Sequence, residues 1–137
     1  MKRTPLERKG AALARQKPLR RRTRPGAKRR ADPVTDDVRI AVMARDGACV
    51  ARVRCDGRHS GLKWHHRRPV EHHGPSVVEN GLALCPPCHH WVHNQYPAQA
   101  TANGWLVGKR GDPARVPVLL PDGRRVLLTE DGTYRET

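Results

Sequence analysis

Apolar and polar positions divide the chain into unlike stretches. Residues 1–35 are basic, contain Pro and carry few apolar side chains, so an arm disordered in isolation is expected there. From Val38 the apolar positions recur at helical spacing through Ala41 and Val42 toward Arg45. Thr35 stands where an N-cap would, and Asp36 and Asp37 suit a first helical turn, which predicts a helix over 36–46 ended by Asp46-Gly47. Cys49 to Cys55 reads as a loop, with Gly57 and Gly61 marking turns. Residues 62–67 read as a short strand, and 81–84 as the strand that returns after a loop rich in His, Gly and Pro. Cys85-Pro-Pro-Cys88 is a tight turn; a helix over about 87–95 follows, because Pro is tolerated in a first turn, and Pro97 is expected to stop it. Beyond Gly104, residues 116–120 and 125–129 flank Pro121-Asp122-Gly123 as a hairpin, 108–113 form a loop, and 130–137 are expected to fray. The class is α+β, divided into a basic arm (1–35), a core (36–103) and a C-terminal extension with the hairpin (104–137).

Composition changes this picture in one respect. Hydrophobic residues make up 36% of 137 residues, aromatics 4%, and Phe is absent, so apolar burial alone is a weak basis for the fold. The chain has four cysteines, Cys49, Cys55, Cys85 and Cys88, which makes disulfides or a structural metal the natural supplement. No apolar run approaches a membrane span, and the basic N-terminus lacks the apolar segment of a signal peptide. A cytoplasmic location without membrane contact is therefore expected, and in a reducing compartment paired cysteines favour zinc over disulfides.

The net charge of +14 is concentrated at one end. Residues 1–35 hold 13 Lys and Arg against Glu7 and Asp32, leaving the remainder near an ordinary globular balance. Arg20, Arg21, Arg22, Lys28, Arg29 and Arg30 form the densest part, and a polyanion is their natural partner through counterion release. A solubilising tail is the alternative.

All four cysteines and all eight histidines fall between positions 49 and 93. Cys85-x-x-Cys88 has the spacing of a zinc half-site and Cys49-x5-Cys55 a looser version of it. Four thiolates would close a tetrahedral, structural zinc site; a redox pair or merely buried thiols are the alternative. His65 and His66 are adjacent on a predicted strand and so face opposite sides, free to do two jobs. His89 and His93 are four apart on a predicted helix and share a face, while His90 points elsewhere. His59 and His90 read as surface residues, and Trp64 and Trp91 as core.

The stretch Cys49 to His93, with His65-His66-Arg67-Arg68-Pro69, Asn80-Gly81-Leu82-Ala83-Leu84-Cys85 and Cys88-His89-x3-His93, resembles the HNH (ββα-metal) endonucleases, among them the small enzymes of actinobacterial phages. Gly104-Trp105-Leu106-Val107, Asp112-Pro113 and Val116-Pro117-Val118 look like the tail of that phage subgroup, so the resemblance spans roughly 45–130. It implies a zinc-stapled ββα-metal domain that hydrolyses DNA phosphodiesters. His66 would be the general base, His65, His89 and His93 the ligands of a catalytic ion, and Asn80 the residue that fixes the loop between strand and helix. An imidazole titrates near neutrality, as a base for water must, and a cation offsets the charge that grows on the phosphate and the departing 3′ oxygen. Three imidazoles would accept Zn2+, Ni2+ or Mn2+, and Mg2+ less readily. Arg67 and Arg68 follow the base and are expected to clamp a phosphate, with a solvated strand end as the alternative. His72 and His73 occupy a place where the family commonly has a glycine pair. The resemblance also implies a phage setting, with the large terminase subunit as a partner and the host cytoplasm as location; a free-standing homing or defence nuclease is the alternative. It leaves sequence specificity and oligomeric state open.

Other classes stay in view. A zinc-ribbon nucleic-acid binder without catalysis accounts for arm and thiols but not for the two histidine pairs. A thiol-disulfide protein would hold no zinc.

Overall fold

The computed structural model describes residues 32–58 and 60–137; Arg20, Arg21, Arg22, Lys28, Arg29, Arg30 and His59 lie outside them. The described chain is a small α+β domain with short helices and two antiparallel sheets. Helix α1 (Asp36–Asp46) coincides with the expected span: the Thr35 hydroxyl accepts from the Val38 N–H, and Gly47 closes the other end at φ 64° with its N–H on the Met43 carbonyl. Strands β1 (Lys63–His66) and β2 (Gly81–Leu84) pair antiparallel, His65 opposite Leu82 and His66 opposite Gly81. Gly81 is required there, because the Trp64 ring lies across it and would collide with any Cβ.

Helix α2 starts at Pro86, one residue earlier than expected, runs to His90 and continues as a π-helical turn, Trp91–Gln95. Pro97 does not end the helical structure. It opens a further helix, α3 (Pro97–Ala102), since a first-turn position needs no N–H and suits the fixed φ of proline.

The expected hairpin is a three-stranded sheet: β3 (Val118–Leu119), β4 (Arg125–Leu128) and β5 (Tyr134–Glu136). The segment 130–137 is therefore not frayed. Gly132, at φ 78°, turns the chain back, Leu128 pairs with Tyr134, and the Tyr134 hydroxyl donates to Asp46 Oδ1 at 2.7 Å. Asp46 also accepts from the Ala83 N–H (2.8 Å) and from Arg45, whose guanidinium reaches the Val78 and Gly81 carbonyls. One buried ion pair thus joins α1, β2 and β5. Trp105, Val118, Val126 and Leu128 share a single core with Leu82, Leu84, Val92 and the buried cysteines, so the chain after residue 103 packs as part of the same body.

Candidate metal centres

Two groups of potential ligands converge among the described residues. In each, the ligand atoms lie within 4.8 Å of one another. The first comprises Cys49 and Cys55 from the loop after α1, and Cys85 and Cys88 from the end of β2 and the start of α2. None forms a disulfide. Cys55 and Cys88 Sγ are 3.7 Å apart. A tetrahedral zinc with Zn–S near 2.3 Å has S···S edges of about 3.8 Å, so the spacing fits that ion. The Arg54 N–H donates to Cys88 Sγ at 3.3 Å. Burial, then the neighbouring thiols Cys85 and Cys49, pushes the Cys88 thiol up, and burial also raises that of Cys55. For Cys49 burial works upward too, but the backbone of Cys85 and Arg52 and the thiols of Cys88 and Cys55 bring it below its usual range. The cluster is compatible with structural zinc, which would hold the four sulfurs as thiolates.

The second group comprises His65 from β1, His89 from α2 and His93 from the π-turn. The alternation expected for a strand holds: His65 is fully buried, while His66 looks into an open cavity of about 360 Å³ lined by Trp64, Pro69, Val70, Glu71, His89 and His93. His65 Nε2 lies 2.7 Å from the Trp105 carbonyl, which can only accept, so that nitrogen carries the hydrogen and Nδ1 keeps a lone pair. His65 Nδ1 is 3.2 Å from His93 Nε2, close to the edge of about 3.3 Å for two imidazoles on one tetrahedral zinc. The His89 and His93 rings are 4.6 Å apart, as helical neighbours four apart should be. Burial, opposed by the Trp105 carbonyl and reinforced by His93, His89 and His66, lowers the His65 pKa to about 3. Burial lowers His89 and His93 as well; the charge of Glu71 works against this at His93. Neutral imidazoles are what a cation requires.

His66 has both ring nitrogens engaged. The Trp64 indole N–H donates to Nδ1 at 3.2 Å, and Nε2 lies 3.1 Å from Ser76 Oγ, whose own hydrogen goes to the Asp32 carbonyl at 2.7 Å. An indole can only donate, so neutral His66 carries its hydrogen on Nε2. Burial also lowers its pKa.

Asn80 is buried and spans the loop between the strands. Its amide accepts from the Arg68 N–H (2.7 Å) and donates to the Arg68 and Pro75 carbonyls (3.1 and 2.9 Å). Within that loop His73 holds φ 60°, a backbone state usually left to glycine.

Arg67 is not a phosphate clamp. It is fully buried, and its guanidinium donates to the carbonyls of Gly104, Glu79, Pro113 and Val116 at 2.8, 3.1, 2.8 and 2.6 Å. Burial, followed by the charge of Arg45, lowers its pKa to about 9. The alternation that separates His65 from His66 already puts residue 67 on the inner face with His65. Arg68 is half-buried and donates to the His72 carbonyl at 2.9 Å. His90 is exposed, near Asn94. Trp91 packs in the core, whereas Trp64 stands beside His66. Sequence reasoning missed Glu71, Ser76 and Trp105 as neighbours of the imidazoles; no local spacing marks them, because each arrives through a loop or the chain after α3. Among the described residues no helix is long and apolar enough to cross a membrane.

Comparison with family models, with curated proteins and with solved structures finds no match to this chain.

Proposed function

We propose that this chain is a metal-dependent endonuclease of the HNH (ββα-metal) type that hydrolyses DNA phosphodiester bonds. The observation that carries the reading is the meeting of His65, His89 and His93 around one point, with a fourth imidazole, His66, sharing an open cavity with His89 and His93. A four-thiolate zinc site is closed and structural, so chemistry belongs to the imidazole side. A divalent cation held there, Zn2+, Ni2+, Mn2+ or Mg2+, would offset charge on the scissile phosphate and the leaving 3′ oxygen. His66 takes the proton of the attacking water. Its lone pair is at Nδ1 under the Trp64 indole, so the ring has to turn or Trp64 withdraw before water reaches it. Asn80 holds the loop that carries Ser76 and Glu71 against the site. DNA is the partner supplied by the basic arm, and the likeness to phage enzymes extends the reading to a large terminase subunit.

Supercoiled plasmid incubated with the zinc-loaded chain and each divalent metal tests this. Nicked or linear product is expected, and His66→Ala should lower the rate by about 10²- to 10⁴-fold with metal content unchanged. One bound ion per chain and intact plasmid under every metal would instead make it a zinc-ribbon DNA binder.

A further inference from the structure

The innermost imidazole is fixed by a part of the chain that carries no ligand. His65 Nε2 bonds the Trp105 carbonyl, and this choice of nitrogen is what turns the Nδ1 lone pair toward His93. The carbonyl is itself held from several sides. The Trp105 N–H donates to the Ala100 carbonyl (2.9 Å) and its indole N–H to the Leu119 carbonyl (2.9 Å). Gly104, at φ 74°, lies against the Pro117 carbonyl so closely that any Cβ would collide with it. Arg67, two residues beyond His65 and on the same inner face, gathers the Gly104, Pro113 and Val116 carbonyls, while its own carbonyl accepts from the Val107 N–H at 2.8 Å. A buried guanidinium without a carboxylate in its hydrogen-bond set is costly unless its donors find partners, and here four carbonyls engage all three of its nitrogens and four of its five N–H groups.

We propose that segment 104–116 is a working part of the imidazole metal centre: the Trp105 carbonyl selects Nδ1 of His65 as the ligand atom, and Arg67 is the positioning residue that keeps that carbonyl in place. This rests on the reading that His65, His89 and His93 hold an ion. It extends that reading to residues that touch no metal and no substrate. Outer partners of ligating imidazoles set tautomer and ring orientation, and their loss costs about tenfold to a hundredfold in metal affinity.

The test uses the full chain with its thiols loaded with zinc. Long-range 15N–1H correlation in the wild type should place the His65 hydrogen on Nε2. Calorimetric titration with Co2+ should then show a second ion, bound about tenfold to a hundredfold more weakly by Arg67→Lys and by Gly104→Ala, with thiol-bound zinc and circular dichroism retained. Arg135→Ala, an exposed change outside the segment, should bind as the wild type does. Hydrogen on Nδ1 of His65, or folded variants that take the second ion with wild-type affinity, would overturn the proposal. If both variants fail to fold, the wild-type tautomer decides. A wild type that binds only the thiol-held ion removes the metal reading together with this proposal, a result distinct from a second ion that the variants bind equally well.

Discussion

At the scale of single residues, burial decides what His65 can be. Its pKa of about 3 in the fold, against an ordinary value of 6.5, means the unfolded chain takes a proton there that the folded chain refuses. Stability from this residue is therefore complete above the unfolded value and is lost as pH falls toward the folded one. In the chain with no ion on the imidazoles, His65→Gln should remove up to about 1.4 kcal/mol per pH unit from the acid slope of unfolding free energy between roughly pH 6 and 4. Urea melts at several pH values measure it, and equal slopes in the two chains would show that His65 is not the proton acceptor. Glu71 presents a second residue-scale question, since its carboxylate lines the cavity with three imidazoles and acts on His93. An oxygen donor matters more to hard cations than to Zn2+ or Ni2+. Glu71→Gln should weaken Mn2+ by about tenfold while leaving Ni2+ within about threefold, read by calorimetry; equal losses for both ions would show that the nearby carboxylate plays no part in choosing the ion.

Between elements, the joints are polar as much as apolar. Asp46 closes α1, pairs with Arg45 with both side chains almost fully enclosed, and receives hydrogen bonds from β2 and β5. Removing one charge of such a pair leaves the other buried and unpaired, so Asp46→Ala should cost about 3 to 5 kcal/mol in a denaturant melt. A loss below about 1 kcal/mol would mean that water reaches Arg45 in the variant. This joint also explains which elements were legible in the sequence. The ends of α1 are written locally, in the Thr35 cap and Gly47, and β2 is a short apolar run between Asn80 and Cys85. Strand β5 is not written locally: Tyr134 is its one large apolar side chain, and a partner 88 residues away fixes it. Helix α3 escaped because proline both ends and begins helices, and only the fold says which. The two clusters were legible because thiols and imidazoles are rare enough for spacing to speak. Arg67 was misread because a guanidinium beside a base invites a phosphate, although strand parity pointed it inward.

For the whole molecule, the distribution of charge is joined to the position of the cavity. The carbonyl of Asp32 accepts from Ser76, and Ser76 meets His66, so Asp32 lies at the edge of the imidazole site. Residues 1–35 hold 13 Lys and Arg, and a segment so charged is expected to add salt-dependent affinity for a duplex. On double-stranded DNA each phosphate neutralised steepens the logarithmic salt dependence by about 0.9. A chain lacking residues 1–31 should therefore bind a duplex more weakly, with a slope shallower by several such increments, while retaining both ions. At saturating duplex its cleavage rate should match the full chain, so the deletion raises KM and spares kcat. Equal slopes for the two chains, measured by fluorescence anisotropy across a salt series, would show that the arm does not bind the duplex and would leave solubility as its role.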